Sequence, residues 1–430
     1  MTWSLDPLSE YRHRVIDDDL DELLLQLPAL ALEGAKGVGK TATARARAHS
    51  VHLLDDPQVH QVAEADASRL LKAAPPVLID EWQRLPVVWD LVRRAVDEDP
   101  SPGRFLLTGS ASPVTPPTHS GAGRIVQLRM RPLSLAERGM TPTVSLAELL
   151  KGDRPGVHGS TAIRLDDYVA EIVAGGFPAL RGLSDRALRA QLDGYVARIV
   201  DHDFPEMGRQ VRRPDTLMRW MRAYAAATST TASYETVRDA ATSGEGSKPA
   251  RTTTGPYRDT LARLWLLDPV PAWLPTRNHL SRLSATPKHA LVDTAIAARL
   301  LGIGPDALLE GRGAGPSVPR DGTLLGALFE SLVALCLRVY AQASEATVGH
   351  LRTRDGDREV DFIVARDDGR VVAVEVKLSA VVRDSDLRHL HWLRDRLGED
   401  LLDAVLITTG REAYRRPDGV AVVPAALLGP

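Results

Sequence analysis

The 430-residue sequence predicts an α/β fold for the first and last parts of the chain and a mainly helical part between them. Three observations lead to this prediction. Short apolar runs alternate with helical stretches in residues 1–150, which indicates a parallel sheet with helices on both faces. Residues 142–160 are expected to form a linker, and helical patterns dominate the rest of residues 151–300. Residues 301–430 begin with an apolar helix and continue into strands that carry acidic residues, so a second α/β domain is expected there.

A glycine-rich motif organises the first part of the chain. Residues Gly34–Thr41 read G-x-x-x-x-G-K-T, after an apolar run (Leu27–Leu32) and before a helical segment (Thr41–Ala48). In this order of strand, loop and helix, successive backbone N–H groups turn inward around phosphate oxygens. Gly34 and Gly39 are expected to adopt backbone angles that other residues disfavour. The motif predicts an ATP or GTP site formed by Gly34, Ala35, Lys36, Gly37, Val38, Gly39, Lys40 and Thr41.

Two side chains of this motif have predicted contacts with the nucleotide. Lys40 is expected to reach the β- and γ-phosphates, and the hydroxyl of Thr41 is expected to bind Mg²⁺. The helix that begins near Lys40 adds its positive dipole end. ATP and Mg²⁺ are therefore the expected cofactors. The alternative is a glycine loop that only turns the chain.

A second apolar strand, within Pro76–Gln83, ends in two acids and has the form of a Walker B motif. Asp80 is expected to bind Mg²⁺, and Glu81 to orient and deprotonate the attacking water. The alternative is a buried strand with solvated acids at its tip. Together with the glycine motif, the acid pair favours hydrolysis of the nucleotide.

A third strand, Arg104–Ser110, ends in hydroxyl side chains. If this strand lies next to the strand that precedes the glycine motif, Thr108 or Ser110 can contact the γ-phosphate, and both are candidate catalytic residues. A plain strand followed by a turn is the alternative interpretation. The loop that follows, residues 112–123, is rich in Pro, Gly, Ser and Thr and is expected to be mobile.

An arginine after this loop is the candidate for contact between subunits. Arg124 is expected to reach the phosphates bound by a neighbouring subunit, as an arginine finger that stabilises charge on the transferred phosphoryl group. Arg129 is the second choice. Ordinary surface arginines on an edge strand are the alternative.

The composition favours a cytoplasmic protein. The hydrophobic content of 44% is sufficient for packed cores, and the N-terminal residues Met1–Asp6 lack the basic and apolar pattern of a signal peptide. No apolar run is expected to span a membrane. The single cysteine, Cys336, excludes an internal disulfide framework and a clustered cysteine metal site, and its apolar neighbours indicate a buried thiol.

Basic charge is concentrated in the middle of the chain. Residues 181–290 contain 17 Lys+Arg against 11 Asp+Glu, a net charge of +6. Residues 1–180 contain 19 against 24, and residues 291–430 contain 17 against 21. A basic segment between acidic ends indicates an anionic partner.

The same segment has the pattern of a winged helix-turn-helix. Its helices are expected at 217–228, 234–241 and 255–267, with a wing at 269–291. In such modules the last helix enters the major groove of DNA, and Lys and Arg side chains contact phosphates. A winged helix used only for subunit packing is the alternative. The candidate DNA contacts are Arg251, Arg258, Arg263, Arg277, Arg282 and Lys288.

The last part of the chain carries a second set of acids. One lies on the apolar helix 324–340, and the others lie on two strands joined by a turn at 367–369. Carboxylates and a lysine at adjacent strands can bind Mg²⁺ and activate water beside a phosphodiester. Buried valines with an exposed ion pair are the alternative. The candidate residues are Glu330, Asp361, Glu375 and Lys377, and their D…E-x-K pattern resembles the PD-(D/E)xK restriction-endonuclease-like nucleases.

In order, these features resemble a prokaryotic family of AAA-type (AAA+) ATP-binding proteins, in which the ATPase domain precedes a winged helix and a nuclease-like end. The resemblance implies ATP binding and hydrolysis, a ring or open ring of identical subunits, and a link to DNA. His202-Asp203 is a departure, because the family tends to have Arg-Asp there. The residues that carry the resemblance are Gly34–Thr41, Val77–Gln83, Leu106–Ser110, Gly123-Arg124, Arg131–Ser134, Gly175–Pro178, Val292–Thr294, Glu330, Glu359–Phe362 and Glu375–Lys377.

Two functions of different classes are open. The first is an ATP-driven enzyme that translocates on DNA or remodels it, with a tail that clamps or cuts. The second is an ATP-controlled switch that assembles or releases a protein partner and carries a degenerate nuclease-like domain. A small-molecule kinase is a weaker option, because the sequence shows no legible lid or acceptor pocket.

Overall fold

The chain folds into two compact units. The first ends at Arg131 and also contains Arg263–Trp265, and the second contains Pro132–Ala262 and Leu266–Pro430. The predicted boundaries after residues 150 and 300 therefore both fall inside the second unit. The structure is a computed structural model and describes residues 11–115, 117–209, 211, 213–242, 250–275, 285–310, 322–353 and 356–430.

Strands and helices alternate in the first unit, as the sequence predicts. Its strands are β1 (Ala29–Glu33), β2 (Ser50–Leu53), β3 (Val77–Asp80), β4 (Phe105–Gly109) and β5 (Val126–Arg129). Its helices are α1 (Val15–Leu24), α2 (Lys40–Arg45), α3 (Pro57–Ala65) and α4 (Val87–Glu98), with 3₁₀ turns at Ala67–Lys72 and Trp82–Arg84.

The five strands form one parallel sheet in the order β2-β3-β4-β1-β5. Strand β4 pairs with both β1 and β3, so that Leu106 lies opposite Leu30 on one side and Leu78 on the other. Strands β1, β3 and β4 are apolar and almost entirely buried, as expected when helices cover both faces of a parallel sheet. The order confirms that the hydroxyl-tipped strand lies beside the strand of the glycine motif.

Helix α4 covers one face of this sheet with a continuous apolar stripe. Its buried side chains Val88, Trp89, Val92 and Val96 recur at helical spacing. The ring of Trp89 packs 4.6 Å from the ring of Trp82, measured between centroids. This packing places the 3₁₀ turn after β3 against the core, which fixes the segment that carries the predicted acids.

The second unit begins with a helical part. After a 3₁₀ turn at Ala136–Arg138, its elements are β6 (Val144–Ser145), α5 (Leu146–Lys151), β7 (His158–Ser160), α6 (Leu165–Ala174), a 3₁₀ turn (Pro178–Leu180), α7 (Asp185–Arg198), a π-helical turn (Ile199–Asp203), α8 (Phe204–Glu206), α9 (Pro214–Ala226), α10 (Tyr234–Ala240), α11 (Arg251–Arg263), α12 (Thr294–Leu300) and α13 (Pro305–Glu310).

The rest of the second unit is α/β. Its elements are α14 (Gly322–Ala343), β8 (Thr347–Arg352), β9 (Glu359–Ala365), β10 (Val371–Val376), a 3₁₀ turn (Asp384–Leu387), α15 (Arg388–Leu397), a 3₁₀ turn (Gly398–Asp400), β11 (Leu401–Thr408), β12 (Glu412–Arg415), β13 (Ala421–Pro424), a 3₁₀ turn (Ala425–Leu427) and β14 (Leu428–Gly429). Seven strands form a mixed sheet in the order β7-β12-β13-β11-β10-β9-β8, and β14 pairs with β6.

Residues 142–160, which the sequence indicated as a linker, are part of this fold. Ser145 caps α5 by accepting a hydrogen bond from the N–H of Glu148. Leu146, Leu149 and Leu150 are buried. Strand β7 pairs with β12 at the edge of the seven-stranded sheet. The linker prediction was wrong because these strands are two and three residues long and are held by partners distant in sequence.

The three helices expected between residues 217 and 267 are present as α9, α10 and α11. The chain after α11 pairs with itself through two antiparallel bridges, Leu267 with Leu291 and Val270 with Lys288. Residues 276–284, which include the predicted contacts Arg277 and Arg282, lie outside the described residues. Helices followed by a two-stranded pairing agree with the sequence pattern, and the assignment as a winged helix remains a prediction.

Helix α14 (Gly322–Ala343) is longer than the predicted helix 324–340. Within it, Leu324–Ala343 has a mean hydropathy of 1.7 and satisfies the length and composition of a membrane span. However, 67% of that window is buried inside the fold. Phe329 at one end of the window packs edge-on against Tyr168 of α6, with the ring centroids 5.3 Å apart. These contacts are those of a core helix.

A close backbone contact holds the start of the second unit in place. The N–H of Leu133 donates to the carbonyl of Gly176 at 2.8 Å. The N–H of Gly176 donates to Asp293 Oδ2 at 2.7 Å, and Asp293 Oδ1 caps α12 by accepting from the N–H of Ala295 at 2.8 Å. A Cβ atom on Gly176 would lie 2.5 Å from the carbonyl oxygen of Leu133. The close approach therefore requires glycine.

We expect Gly176→Ala to destabilise the protein by about 2–4 kcal/mol, because the added methyl group meets backbone atoms that cannot move aside. Gly194→Ala is the matched control, since Gly194 lies within α7 and a Cβ there meets no atom within 4 Å. Alanine at that helical position is expected to be neutral or to stabilise by up to about 1 kcal/mol. Chemical denaturation measures both changes, and equal midpoints for the two variants would contradict the packing argument.

Candidate functional site

The glycine motif forms a loop between β1 and α2, and its glycines serve two different purposes. Gly37 and Gly39 have positive φ angles of 84° and 104°, which disfavour any residue with a Cβ. Gly34 has no such angle. Instead, a Cβ on Gly34 would lie 2.2 Å from the carbonyl oxygen of Met130. The expectation that Gly34 is needed for its backbone angles was therefore wrong, because steric approach of the chain after β5 is the reason.

Lys40 begins helix α2 and is turned into the loop. Its Nζ donates to the carbonyl oxygens of Gly34 at 2.8 Å and Ala35 at 2.9 Å, and the residue is only 5% exposed. Burial lowers the pKa of Lys40 to about 8, although the nearby carboxylates of Glu81 and Asp80 act in the opposite direction. An ammonium held among carbonyl groups is suited to contact phosphate oxygens.

The glycine motif and the acid strand meet at Asp80. The hydroxyl of Thr41 donates to Asp80 Oδ1 at 2.8 Å, and the hydroxyl of Thr108 donates to the same oxygen. Burial raises the pKa of the Asp80 carboxyl, while these two hydrogen bonds oppose the shift. Hydroxyl and carboxylate oxygens are the donors that Mg²⁺ prefers, so Thr41 and Asp80 fit the predicted ion.

Glu81 lies at the carboxyl end of β3 in the left-handed region, with φ 55° and ψ 42°. Its Oε2 accepts a hydrogen bond from the hydroxyl of Ser110 at 2.6 Å and another from the side-chain amide of Gln83. The amide of Gln83 also lies 3.2 Å from the Ser110 hydroxyl. A left-handed backbone conformation costs a residue other than glycine about 1–3 kcal/mol of conformational free energy. Residues in such conformations are concentrated at functional sites.

The hydroxyls of Thr108 in β4 and of Ser110 just after β4 therefore contact the acids directly. Thr108 bonds to Asp80, and Ser110 bonds to Glu81. The contact of Thr108 or Ser110 with the γ-phosphate stays a prediction. Sequence reasoning missed Gln83 as part of the site. The available signal was its place two residues after Glu81, in the tight turn that follows the strand.

The two candidate arginine fingers lie in different surroundings. Arg124 is 46% exposed in its side chain, and its Nε lies 2.8 Å from Asp97 on α4. The guanidinium of Arg129 lies over the ring of Trp265, 4.0 Å from the centroid. Arg124 Nη1 also donates to the carbonyl oxygen of Ala122 at 3.3 Å. The ion pair of Arg124 with Asp97 is exposed, and such pairs contribute little stability.

The basic residues predicted to contact DNA are in mixed positions. Arg251 is exposed and pairs with Glu235. Arg258 pairs with Asp259 at 2.8 Å and lies over the ring of Tyr234. The side chain of Arg263 is half-buried and donates to the carbonyl of Pro113. Among these three, Arg251 and Arg258 remain accessible.

Lys288 is not accessible. It is 2% exposed, and its Nζ lies 2.6 Å from Glu330, 3.2 Å from Asp361 and 3.4 Å from Glu359. Burial opposes its charge, but the acids outweigh burial and raise the pKa of Lys288. The prediction of a phosphate contact from Lys288 was wrong, because the side chain points into the protein.

The four carboxylates of the second unit form a group that we call the acid cluster: Glu330 on α14, Glu359 and Asp361 on β9, and Glu375 on β10. Asp361 Oδ2 accepts from the N–H of Val376 at 2.9 Å, which joins the two strands at this point. Glu375 pairs with Lys377 at 2.7 Å. The expected meeting of Glu330, Asp361, Glu375 and Lys377 is therefore observed.

The acid cluster does not fit the predicted metal ion. The oxygens of Glu330 and Asp361 that would bind Mg²⁺ contact the ammonium of Lys288 instead. Burial raises the pKa of both Glu330 and Glu375, and the charge of Asp361 adds to each shift, whereas Lys288 lowers the pKa of both groups. The prediction that Glu330, Asp361 and Glu375 bind a metal is corrected, because a lysine from outside the motif lies among them.

The pKa of Lys40 leads to a stability prediction for the nucleotide-free protein. Its folded-state pKa of about 8 lies below the ordinary value of 10.5, so the charged form is disfavoured by folding at pH 7. Lys40→Met is expected to stabilise the protein by about 1–3 kcal/mol at pH 7, and this gain is expected to shrink as the pH rises from about 8 toward 10.5.

Thermal unfolding across this pH range measures the effect. Lys72→Met is the control, because Lys72 is an exposed lysine of the same unit. A Lys40→Met protein that is less stable than the parent at pH 7 would show that the two carbonyl hydrogen bonds outweigh the burial of the charge.

Comparison with known families divides the chain into three matched parts. Residues 26–138 match an AAA domain, residues 165–307 match a domain of unknown function (DUF8612), and residues 325–428 match another (DUF4143). The AAA match coincides with the strands, the glycine motif and the acid pair of the first unit.

Relatives along the full chain include the uncharacterized proteins Rv2008c of Mycobacterium tuberculosis and Mb2031c of Mycobacterium bovis. Each is 27% identical over 421 residues, which cover 94% of this chain and 82% of the relative. The match with both relatives extends over most of this chain and most of each relative.

Solved structures with weaker likeness include the Walker-type ATPase PABY2304 of Pyrococcus abyssi, with 15% identity and a TM-score of 0.40 over 68% of this chain and 99% of that one. The ORC2 protein of Aeropyrum pernix has 15% identity and a TM-score of 0.30 over 70% and 96%. These TM-scores are too low to establish a shared fold. The AAA domain match, with the geometry of the glycine motif and acid pair, supports an AAA-type ATPase family and a P-loop ATPase domain in the first unit.

Proposed function

We propose that the protein hydrolyses ATP in its first unit and uses the hydrolysis for mechanical or conformational work on DNA. The convergence of Lys40, Thr41, Asp80 and Glu81 at the carboxyl ends of β1 and β3 is the observation that carries the proposal. In an open α/β sheet, ligands bind at this edge. Four groups with different chemistry at one edge match the requirements of phosphoryl transfer to water.

Each group has a role that follows from its contacts. The loop N–H groups and Lys40 bind the phosphates of ATP. Thr41 and Asp80 would hold Mg²⁺, which supplies positive charge to the phosphates when bound. Glu81 orients the attacking water and accepts its proton. Glu81 Oε2 accepts hydrogen bonds from Ser110 and Gln83, which orient the carboxylate. A carboxylate has acceptor positions on both oxygens, so Glu81 can contact the water while it keeps these two partners.

Assembly into a ring or open ring of identical subunits is part of the proposal. Arg124 is the candidate finger, because its exposed pair with Asp97 can be exchanged for the phosphates of a neighbouring subunit at small cost. The location of the assembled protein is proposed to be the cytoplasm.

DNA is proposed as the partner of the second unit. The net charge of +6 over residues 181–290 supports a polyanion, and the accessible Arg251 and Arg258 are its candidate contacts. The nuclease-like part is proposed to hold DNA without cutting it. Lys288 inside the acid cluster supports clamping over cleavage.

A second candidate, an ATP-controlled switch with a degenerate nuclease-like domain, is favoured by two contacts. Glu81 is held by Ser110, and the acid cluster is neutralised in part by Lys288. The first contact suits slow turnover, and the second suits a nuclease-like domain that has lost cleavage. A mass measurement with and without ATP and a DNA-stimulated hydrolysis assay separate the two candidates.

We expect Glu81→Gln to bind ATP as the parent does but to lose hydrolysis by a factor of about 10² or more, because the amide cannot accept a proton from water. Lys40→Ala is expected to lose ATP affinity as well. Calorimetry measures binding, and phosphate release measures turnover. Glu64→Gln, an exposed change of the same type on α3, is the control. Hydrolysis that survives in Glu81→Gln would remove Glu81 from its catalytic role.

We expect duplex or branched DNA to stimulate ATP hydrolysis, with an effect that falls as salt rises. Arg251→Ala and Arg258→Ala are expected to weaken DNA binding several-fold, whereas Arg94→Ala, an exposed change on α4, is expected to leave it unchanged. Fluorescence anisotropy with labelled DNA measures the binding. Absence of stimulation by every DNA form would favour the switch.

A further inference from the structure

The cation of the acid cluster is supplied by a segment that the nuclease-like motif does not include. Lys288 belongs to the chain after α11, where its backbone is fixed by two hydrogen bonds to Val270, each 2.9 Å long. The bridge leaves the side chain directed at α14 and β9. Its ammonium contacts acids on both elements, at 2.6 Å from Glu330 and 3.2 Å from Asp361.

The charges of the cluster explain why a cation is needed there. Four carboxylates lie close together, and three of them contact Lys288. Glu375 is paired with Lys377, and Glu359 has a second contact with Arg352 at 3.6 Å. Buried carboxylates without a positive partner are costly, so Lys288 offsets charge that no other cation among the described residues contacts.

An ammonium and a divalent ion cannot share this position. Carboxylate oxygens bind Mg²⁺ at about 2.0–2.1 Å, so an ion shared by Glu330 and Asp361 would overlap the Nζ atom between them. The two positive charges would also repel each other strongly at such short distance in a buried site. The ring of Phe362 lies 5.5 Å from Nζ and contributes a further favourable contact to the ammonium.

We propose that Lys288 occupies the cation position of the acid cluster, and that it excludes divalent metal from the second unit and keeps this unit from cleaving DNA. Removal of the ammonium opens a divalent-cation site. Asp361 would be its central ligand, and Glu375 Oε2, which is buried and lacks a hydrogen-bond partner among the described residues, is available to the ion. The inference concerns the second unit alone and does not depend on ATP hydrolysis.

The test is Mn²⁺ binding to the nucleotide-free, full-length protein, measured by calorimetry and by electron paramagnetic resonance. Without nucleotide, the parent is expected to bind no stoichiometric Mn²⁺ through Asp361. Lys288→Ala is expected to bind one equivalent at least tenfold more tightly than any Mn²⁺ binding by the parent. Lys288→Ala combined with Asp361→Asn is expected to lose the gained site.

A matched control removes a lysine that pairs with a carboxylate at the surface. Lys151 pairs with Glu148 at 2.5 Å and is 59% exposed in its side chain, so Lys151→Ala is expected to gain no Mn²⁺ site. Circular dichroism and thermal unfolding establish that each variant is folded. If Lys288→Ala does not fold, Lys288→Met keeps the apolar stem of the side chain and is measured instead.

Two results would overturn the proposal. One is stoichiometric Mn²⁺ binding by the parent that disappears in Asp361→Asn, because the ion would then coexist with Lys288. The other is a folded variant at Lys288 that binds no more Mn²⁺ than the parent. Neither result bears on ATP hydrolysis by the first unit, so the failure of this inference is distinguishable from failure of the proposed ATPase activity.

Discussion

A buried charge needs a polar or oppositely charged partner, and this constraint determines the structure of both the glycine-motif site and the acid cluster. Lys40 is buried beside two carbonyls and the acids of β3, and Lys288 is buried among three carboxylates. A solitary ion in such surroundings would cost several kcal/mol. The two lysines differ in whether a ligand can replace their present partners. The carbonyls around Lys40 are weak partners that phosphate can replace, whereas the carboxylates around Lys288 already form strong ion pairs.

The first unit could be predicted closely from its sequence. Strands β3 and β4 lie inside the predicted segments Pro76–Gln83 and Arg104–Ser110, because each is a short apolar run bounded by Gly, Pro or charged residues. The glycine motif and the acids at the end of β3 identified the candidate site from the sequence. The residue spacing of the motif is enough to predict the loop between β1 and α2. What the sequence could not supply was the hydrogen bonding of Glu81, which depends on the register of β4 beside β3.

The second unit was harder to predict because its contacts join residues that are far apart. Strand β7 pairs with β12 across some 250 residues, and strands of two or three residues give no periodic signal. Lys288 lies 42 positions before Glu330 and 73 before Asp361, so the sequence gives no sign that these residues are partners. In the sequence Lys288 is only one basic residue of the predicted wing. Charge totals treat every lysine as solvated, and burial of even one such residue changes the interpretation of a whole cluster.

The path of the chain bears on how the protein can be dissected. The first unit ends at Arg131 but regains Arg263–Trp265 after a long excursion, and Trp265 lies against Arg129. A fragment that stops at Arg131 would lack the indole on which that guanidinium rests. After a single proteolytic cut at Arg131, residues Arg263–Trp265 of the first unit would remain in the C-terminal fragment. A recombinant fragment that ends at a single boundary therefore does not represent either unit completely.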